Sequence, residues 1–120
     1  MAASHFKFEL PRIQPLTRAW EVNHEEWNWA VWYHIDWFQL RGFVEGTAVE
    51  PGFGATREEI LAHRRKKMMA YCIVRGSLGS FIEVLKEANY TQCIYDNTYE
   101  VRGLWEVIHS LIPRLDNRWV

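Results

Sequence analysis

Four times in the chain, at wide intervals, a polar residue that can begin an α-helix is followed three positions later by glutamate and then by apolar residues at helical spacing. The pairs are Asn23 with Glu26, Thr56 with Glu59, Ser80 with Glu83, and Asn97 with Glu100. In a capping box the first side chain accepts a hydrogen bond from the amide three residues on, and the glutamate reaches back to the first amide. Four such helix starts constrain the chain to a largely helical fold.

The apolar residues after each start recur at helical intervals, and glycine or proline follows three of the four runs. We predict helices over 23–41, 56–74, 80–88 and 97–112. The segments 42–55 and 89–97 are predicted loops, with Phe43 and Val44 of the first loop tucked beneath the helices. Because no segment is a convincing strand, the sequence predicts an all-α fold, a small bundle of about four to five helices.

The N-terminal segment differs from the rest of the chain. Residues 1–16 contain Pro11 and Pro15, which disfavour a helix, so we predict an extended N-terminal arm. Residues 17–120 are then a single helical domain, as expected for a chain of 120 residues. Apolar residues make up 48% of the chain and aromatic residues 15%, which is enough to enclose a core and excludes wholesale disorder.

The first predicted helix is unusually aromatic. One helical face carries Trp27, Val31, Ile35 and Phe38. A second set spreads the apolar surface well beyond that face: Trp29, Trp32, Tyr33 and Trp37. Such a helix is either buried on several sides or exposes part of its surface as an interface. We therefore nominate the second set as a self-association surface, through which copies of the chain form a homo-oligomer by weak contacts.

The only run of like charges is Arg64, Arg65, Lys66 and Lys67 in the second predicted helix. The whole chain has a net charge of −1, so it has no global cationic field to hold nucleic acid. Consecutive residues point in different directions around a helix, so part of the run must face solvent. The simplest interpretation is a solvated face, and the alternative is a contact patch for RNA phosphates or for an acidic protein partner.

Histidine and acidic residues offer little chemistry. His24 lacks the second histidine four residues later that zinc hydrolases use, and we expect it to be solvated or to cap the helix. His34 and Asp36 point about 200° apart on a helix, so they cannot share one metal ion or one proton. We predict no catalytic residue, no metal site, no cofactor and no small-molecule substrate, and hence a protein that is not an enzyme.

The two cysteines also lack partners in the sequence. Cys72 lies in the most apolar part of its helix, where we expect burial to keep the thiol protonated, and Cys93 lies in a polar loop with nothing nearby to activate it. Two cysteines exclude a disulfide framework, so we expect a reduced, cytoplasmic protein. The longest stretch without a charged residue runs from Trp27 to Ile35, too short to cross a membrane.

In order along the chain, five segments resemble the capsid N-terminal region of the Gag polyprotein of copia-type LTR retrotransposons. These are a proline-rich lead-in, an asparagine-to-tryptophan helix start, a Gly-Phe-Val turn, a basic helix with small and apolar residues, and a Leu-Trp-acidic helix. In this sequence they are Pro11–Thr17, Asn23–Trp27, Gly42–Thr47, Lys67–Val74 and Val101–Ile108.

The resemblance implies a helical capsid-type module that packs against copies of itself and helps build a virus-like particle around element RNA, in a retrotransposon or in a host protein derived from one. It implies no catalysis. The family's usual RNA-binding element, a Cys-X2-Cys-X4-His-X4-Cys zinc knuckle, is not in the sequence. RNA packaging would therefore depend on a separate region.

Overall fold

Six α-helices make up the regular structure of residues 10–95 and 97–112, the part of the chain described by a computed structural model. They are α1 (Trp20–Trp37), α2 (Arg41–Glu45), α3 (Arg57–Gly76), α4 (Phe81–Glu87), α5 (Thr91–Ile94) and α6 (Val101–Leu111). These residues form no β-strand, and a single parallel bridge joins Leu16 to Leu78. The predicted all-α fold is confirmed, with six helices rather than four to five.

Two of the four predicted helix starts are correct. Thr56 accepts a hydrogen bond on Oγ1 from the Glu59 amide at 3.1 Å, and α3 begins at the next residue. Ser80 immediately precedes α4 as predicted, but its hydroxyl accepts a hydrogen bond from the Arg18 amide at 2.9 Å instead of capping the helix. The position of a start can thus be right while the predicted side-chain bond is not.

The other two predicted starts are wrong. Asn23 lies inside α1, which begins at Trp20, and its side-chain amide donates to the Pro15 carbonyl at 2.9 Å. Asn97 precedes the start of α6 by four residues, because the chain first turns through Tyr99, whose φ of 57° lies in the left-handed region. Asn23 thus ties the N-terminal segment to α1, and Asn97 lies in the turn before α6.

Both predicted loops contain a short helix. The first predicted helix ends at Trp37, not at Arg41, because Gln39 adopts a φ of 58° and the Leu40 amide donates back to the Ile35 carbonyl at 2.8 Å. The helix α2 follows at once and buries Val44, as predicted, while Phe43 packs half-buried against the core. The second loop contains α5.

The core receives buried side chains from all six helices. Its largest fully buried side chains include Trp27, Ile35, Val74, Phe81, Leu85, Leu104 and Ile108. Phe38, which helical spacing places on the same face as Trp27, Val31 and Ile35, is 40% exposed because the helix has already ended.

The N-terminal segment joins the bundle at Leu16. This residue is fully buried, and its amide donates to the Ser77 carbonyl at 2.9 Å while its carbonyl accepts from the amides of Gly79 and Phe81. Residues 10–15 lie outside any helix or strand. The remainder of the predicted arm, residues 1–9, and the predicted helix breaker Pro113 are outside the described residues.

Candidate functional site

The helix α1 carries apolar side chains on two sides. The side that faces the core buries Trp27, Ala30, Val31 and Ile35. Four further apolar residues fall within an arc of about 80° on another side, which we call the outer face of α1. This outer face consists of Val22, Trp29, Tyr33 and Trp37.

The outer face is largely open to solvent. Val22 is 85% exposed, Trp29 59% and Trp37 54%, while Tyr33 is half-buried. The Trp29 and Tyr33 rings lie 5.5 Å apart with their planes tilted by 48°, so they form one aromatic ridge along the helix. Single exposed apolar residues are ordinary, but three aromatic residues in a row, with Val22 beyond Glu26 on the same side of the helix, are typical of a surface that another molecule covers.

Shallow hollows flank this ridge. Toward the N-terminal end of α1, Trp29 borders a hollow of about 160 Å³ together with Arg12, Gln14 and Glu26. Toward the C-terminal end, Tyr33 and Trp37 border an open hollow of about 300 Å³ with Asp36. The outer face therefore offers both protruding rings and recesses.

Trp32, the fourth residue of the nominated self-association surface, does not lie with the other three. Its ring is half-buried and meets the ring of Trp105 in α6 edge-on, with centroids 5.1 Å apart. The guanidinium of Arg41 covers it at 4.2 Å from the ring centroid. Trp32 thus packs α1 against α6 and α2, whereas Trp29, Tyr33 and Trp37 form the exposed ridge.

Charge at the C-terminal end of the outer face is compensated within the molecule. The guanidinium of Arg41 donates to both carboxylate oxygens of Asp36, at 2.7 and 2.6 Å. These hydrogen bonds hold the pKa of Asp36 below its usual value and raise the pKa of Arg41. The ionised pair leaves little net charge beside Trp37.

The basic run does not form one patch. Arg64, Arg65 and Lys66 are exposed, as predicted for part of the run, and they point in different directions because successive residues are about 100° apart on α3. Lys67 is half-buried, and its ammonium lies 2.6 Å from the Glu100 carboxylate. The run therefore has three exposed cations and one that ties α3 to the start of α6.

A groove of about 690 Å³ separates α3 from the segment before α6. Arg64 and Lys67 line it on one side and Tyr99 on the other, with Glu50 at its edge. Since Lys67 is already paired with Glu100, and Glu50 lines the groove as well as Arg64, the groove has no strong excess of either charge. It does not have the features of an anion site.

Histidines of α1 take part in packing. His24, which we expected to be solvated or to cap the helix, is half-buried with its ring 6.1 Å from that of Trp27 and 5.5 Å from that of His109. The expectation for His24 was wrong, because α1 begins earlier and its first turns lie against α6. The Nδ1 atom of His34 lies 2.9 Å from the Ala30 carbonyl of its own helix.

His109, which no sequence pattern singled out, joins this aromatic group from α6. Its ring lies 4.3 Å from that of Trp105, and its Nδ1 atom lies 2.9 Å from the Trp105 carbonyl. Burial lowers the pKa of His109, and the hydrogen bond to that carbonyl opposes the shift. Trp105 and His109 are four residues apart, so the sequence predicts that they share a helix face. It does not predict that α1 covers this face.

The cysteines differ from their predicted settings. Cys72 is exposed, so the predicted burial was wrong: it lies about 200° around α3 from both Ala70 and Val74, which face the core. Cys93 is half-buried in α5. Among the described residues, no group of three or more His, Cys, Asp and Glu side chains is placed to hold a metal ion.

None of the helices described is both long and apolar enough to span a membrane. Comparison of the chain with protein-family models, curated proteins and solved structures found no match.

Proposed function

We propose that this protein is a non-catalytic self-association module whose copies contact one another through the outer face of α1. The observation that carries the proposal is the exposure of Val22, Trp29 and Trp37 in one row, on a helix whose other side already supplies the core. Transfer of such apolar surface out of water is favourable in proportion to its area, and the domain itself leaves it uncovered.

The area of this surface favours weak association. A tryptophan presents at most about 250 Å², so two half-exposed indoles, Val22 and the edge of Tyr33 supply roughly 300–400 Å² of apolar surface per copy. With about 60% of an interface apolar, two copies would bury roughly 1,200 Å² in total. This is the lower limit for specific complexes, so we expect dissociation constants on the order of micromolar or weaker.

Weak contacts between copies suit the capsid-type role that the resemblance to copia-type Gag implies. An assembly with many copies gains stability from repeated contacts, each of which is individually reversible. We therefore extend the proposal to a structural, capsid-like module that contributes to a particle built from many copies.

Sedimentation velocity over a concentration series tests the proposal. We expect the wild-type chain to show a rising average mass, and Trp29→Ala and Trp37→Ala to shift this rise to at least about tenfold higher concentration, equivalent to about 1.4 kcal/mol. Phe53→Ala is the matched control, because Phe53 is a fully exposed aromatic residue in the loop before α3. A wild-type chain that stays monomeric at millimolar concentration, or an equal loss in the Phe53 variant, contradicts the proposal.

A second candidate function is recognition of an acidic protein partner by the basic run. Arg64, Arg65 and Lys66 are exposed and form no ion pair with any residue in the described ranges. Their different directions favour separate contacts with carboxylates over a continuous phosphate track. The test is anisotropy of a labelled poly-glutamate peptide: binding should weaken with salt and with neutral glutamine at these three positions, while preferential binding of an RNA oligonucleotide would contradict the choice of partner.

A further inference from the structure

We infer that two copies pair through antiparallel α1 helices, related by a two-fold axis that passes beside Trp29. This inference rests on the proposed self-association and adds its geometry. In an antiparallel pair, residues equally distant from the axis on either side face each other. An axis between Trp29 and Ala30 sets Val22 opposite Trp37 of the other copy, Glu26 opposite Tyr33, and Trp29 beside the second Trp29.

Each of these pairs is complementary in size or chemistry. Val22 is small and 85% exposed, and the hollow beside Trp37 can receive it. Glu26 is exposed and supplies a carboxylate that can accept a hydrogen bond from the phenol of Tyr33. The two Trp29 rings meet at the axis, where an offset aromatic pair contributes about 0.5–1.5 kcal/mol beyond its buried area.

Charge opposes the parallel alternative. Parallel helices in register would place Glu26 against Glu26 and Trp37 against Trp37, so that like charges and the largest side chains meet. Parallel alignment would also place equal ends of the helix dipoles together. In the antiparallel pair Asp36 adds little repulsion, because Arg41 already binds both of its carboxylate oxygens.

A two-fold contact of this kind is closed. Each outer face covers the other, so α1 pairing yields a dimer and leaves no outer face for a third copy. Any larger assembly would use a different surface of the dimer. The inference thus assigns the outer face of α1 to the dimer contact alone.

Cross-linking with a short bis-maleimide distinguishes the two directions. The parent chain carries Cys72→Ser and Cys93→Ser, and single cysteines are added as Glu26→Cys or Tyr33→Cys, which leave both exposed tryptophans in place. In the antiparallel pair the two residues are opposite each other in different copies. A mixture of the two variants should therefore give cross-linked dimer, and each variant alone should give none above the cysteine-free parent.

The outcomes separate this inference from the proposed function. If the parent associates in sedimentation but Glu26→Cys or Tyr33→Cys cross-links with itself, the pairing is parallel and the inference is wrong while self-association stands. If the parent associates and the mixture gives no cross-link, the register is wrong. Absence of association in the wild-type chain contradicts both.

Discussion

The indole Nε1 of Trp27 lies 2.9 Å from the hydroxyl oxygen of Ser77 and donates a hydrogen bond to it inside the core. The Ser77 carbonyl accepts from the same indole at 3.2 Å, and the Ser77 hydroxyl donates to the Val74 carbonyl at 2.7 Å. These bonds join the middle of α1 to the end of α3. A buried N–H group without an acceptor costs about 1–3 kcal/mol. The two oxygens of Ser77 therefore make the burial of the Trp27 indole favourable at this position.

Trp27 and Trp29 should respond differently to the same substitution. Trp27→Ala removes a fully buried indole, and we expect it to lower the free energy of unfolding by about 3–5 kcal/mol. Trp29→Ala removes an indole that is 59% exposed and should change that free energy by less than about 1 kcal/mol. Urea denaturation followed by circular dichroism measures both, and equal losses would mean that α1 does not present these two faces. Should Trp27→Ala not fold, Trp27→Phe gives the smaller, measurable loss.

Ser77→Ala should lower the free energy of unfolding by about 0.5–1.5 kcal/mol, because the indole keeps only the longer hydrogen bond to the Ser77 carbonyl. Ser110→Ala is the matched control. Its hydroxyl also donates to a carbonyl of its own helix, that of Val107 at 2.8 Å, but Ser110 is exposed and water can replace it. A Ser77 variant as stable as the Ser110 variant in the same urea titration would show that the indole does not depend on this hydroxyl.

Gly46 is required by its backbone conformation and by its neighbour. Its φ is 79°, and a Cβ atom there would clash with Nη1 of Arg102, so the Arg102 side chain would have to move. We expect Gly46→Ala to cost about 1–2 kcal/mol, mostly from the left-handed backbone. Gly52→Ala is the control, since a Cβ atom there has no neighbour within 4 Å. Thermal unfolding of both variants checks this, and a Gly46 variant as stable as the Gly52 variant would contradict the assigned conformation.

The stability of the domain should fall on mild acidification because of His109. Burial lowers the pKa of His109 in the folded chain, whereas an unfolded histidine titrates near about 6.5. As the pH falls below that value the unfolded chain takes up a proton that the folded chain resists, so unfolding becomes easier until the folded-state pKa is passed. Protonation of the folded chain would also bring a positive charge beside His24, whose ring lies 5.5 Å away.

The measurement is the urea midpoint at about pH 7.5 and about pH 5.5, which should be lower at the acidic pH in the wild-type chain. His109→Gln should reduce the difference. Asp36 and Glu87 have a lowered pKa and stay ionised across this window, so their loss of charge belongs to a more acidic range. If the difference in urea midpoint between the two pH values is undiminished in His109→Gln, groups other than His109 cause it.

Sequence patterns predicted those helix starts that depend only on neighbouring residues. The Thr56 cap needs nothing beyond the Glu59 amide, and it formed as predicted. Asn23 and Ser80 have the same spacing, but the first bonds to Pro15 and the second to Arg18, contacts that only the folded chain provides. Local spacing cannot distinguish a cap from a residue that tertiary contacts recruit.

The two sides of α1 could likewise be anticipated only in part. The excess of aromatic residues indicated a second apolar surface, but the role of Trp32 depended on Trp105, which approaches it from α6. Cys72 was misassigned for a different reason. The apolar composition of its segment predicts burial, whereas helical geometry turns Cys72 away from Ala70 and Val74 and leaves it exposed.

The burial of Leu16 has a consequence for synthesis of the chain on the ribosome. Leu16 bridges to Leu78, and the nearby bond from Arg18 to Ser80 spans 62 residues. At translation rates of roughly 5–20 residues per second, the partner of this early segment is made about 3–12 seconds after it. During that interval Leu16 cannot be buried, because the residues that will cover it have not been made. A nascent-chain chaperone that holds the segment around Leu16 would therefore have its greatest effect before Phe81 is added.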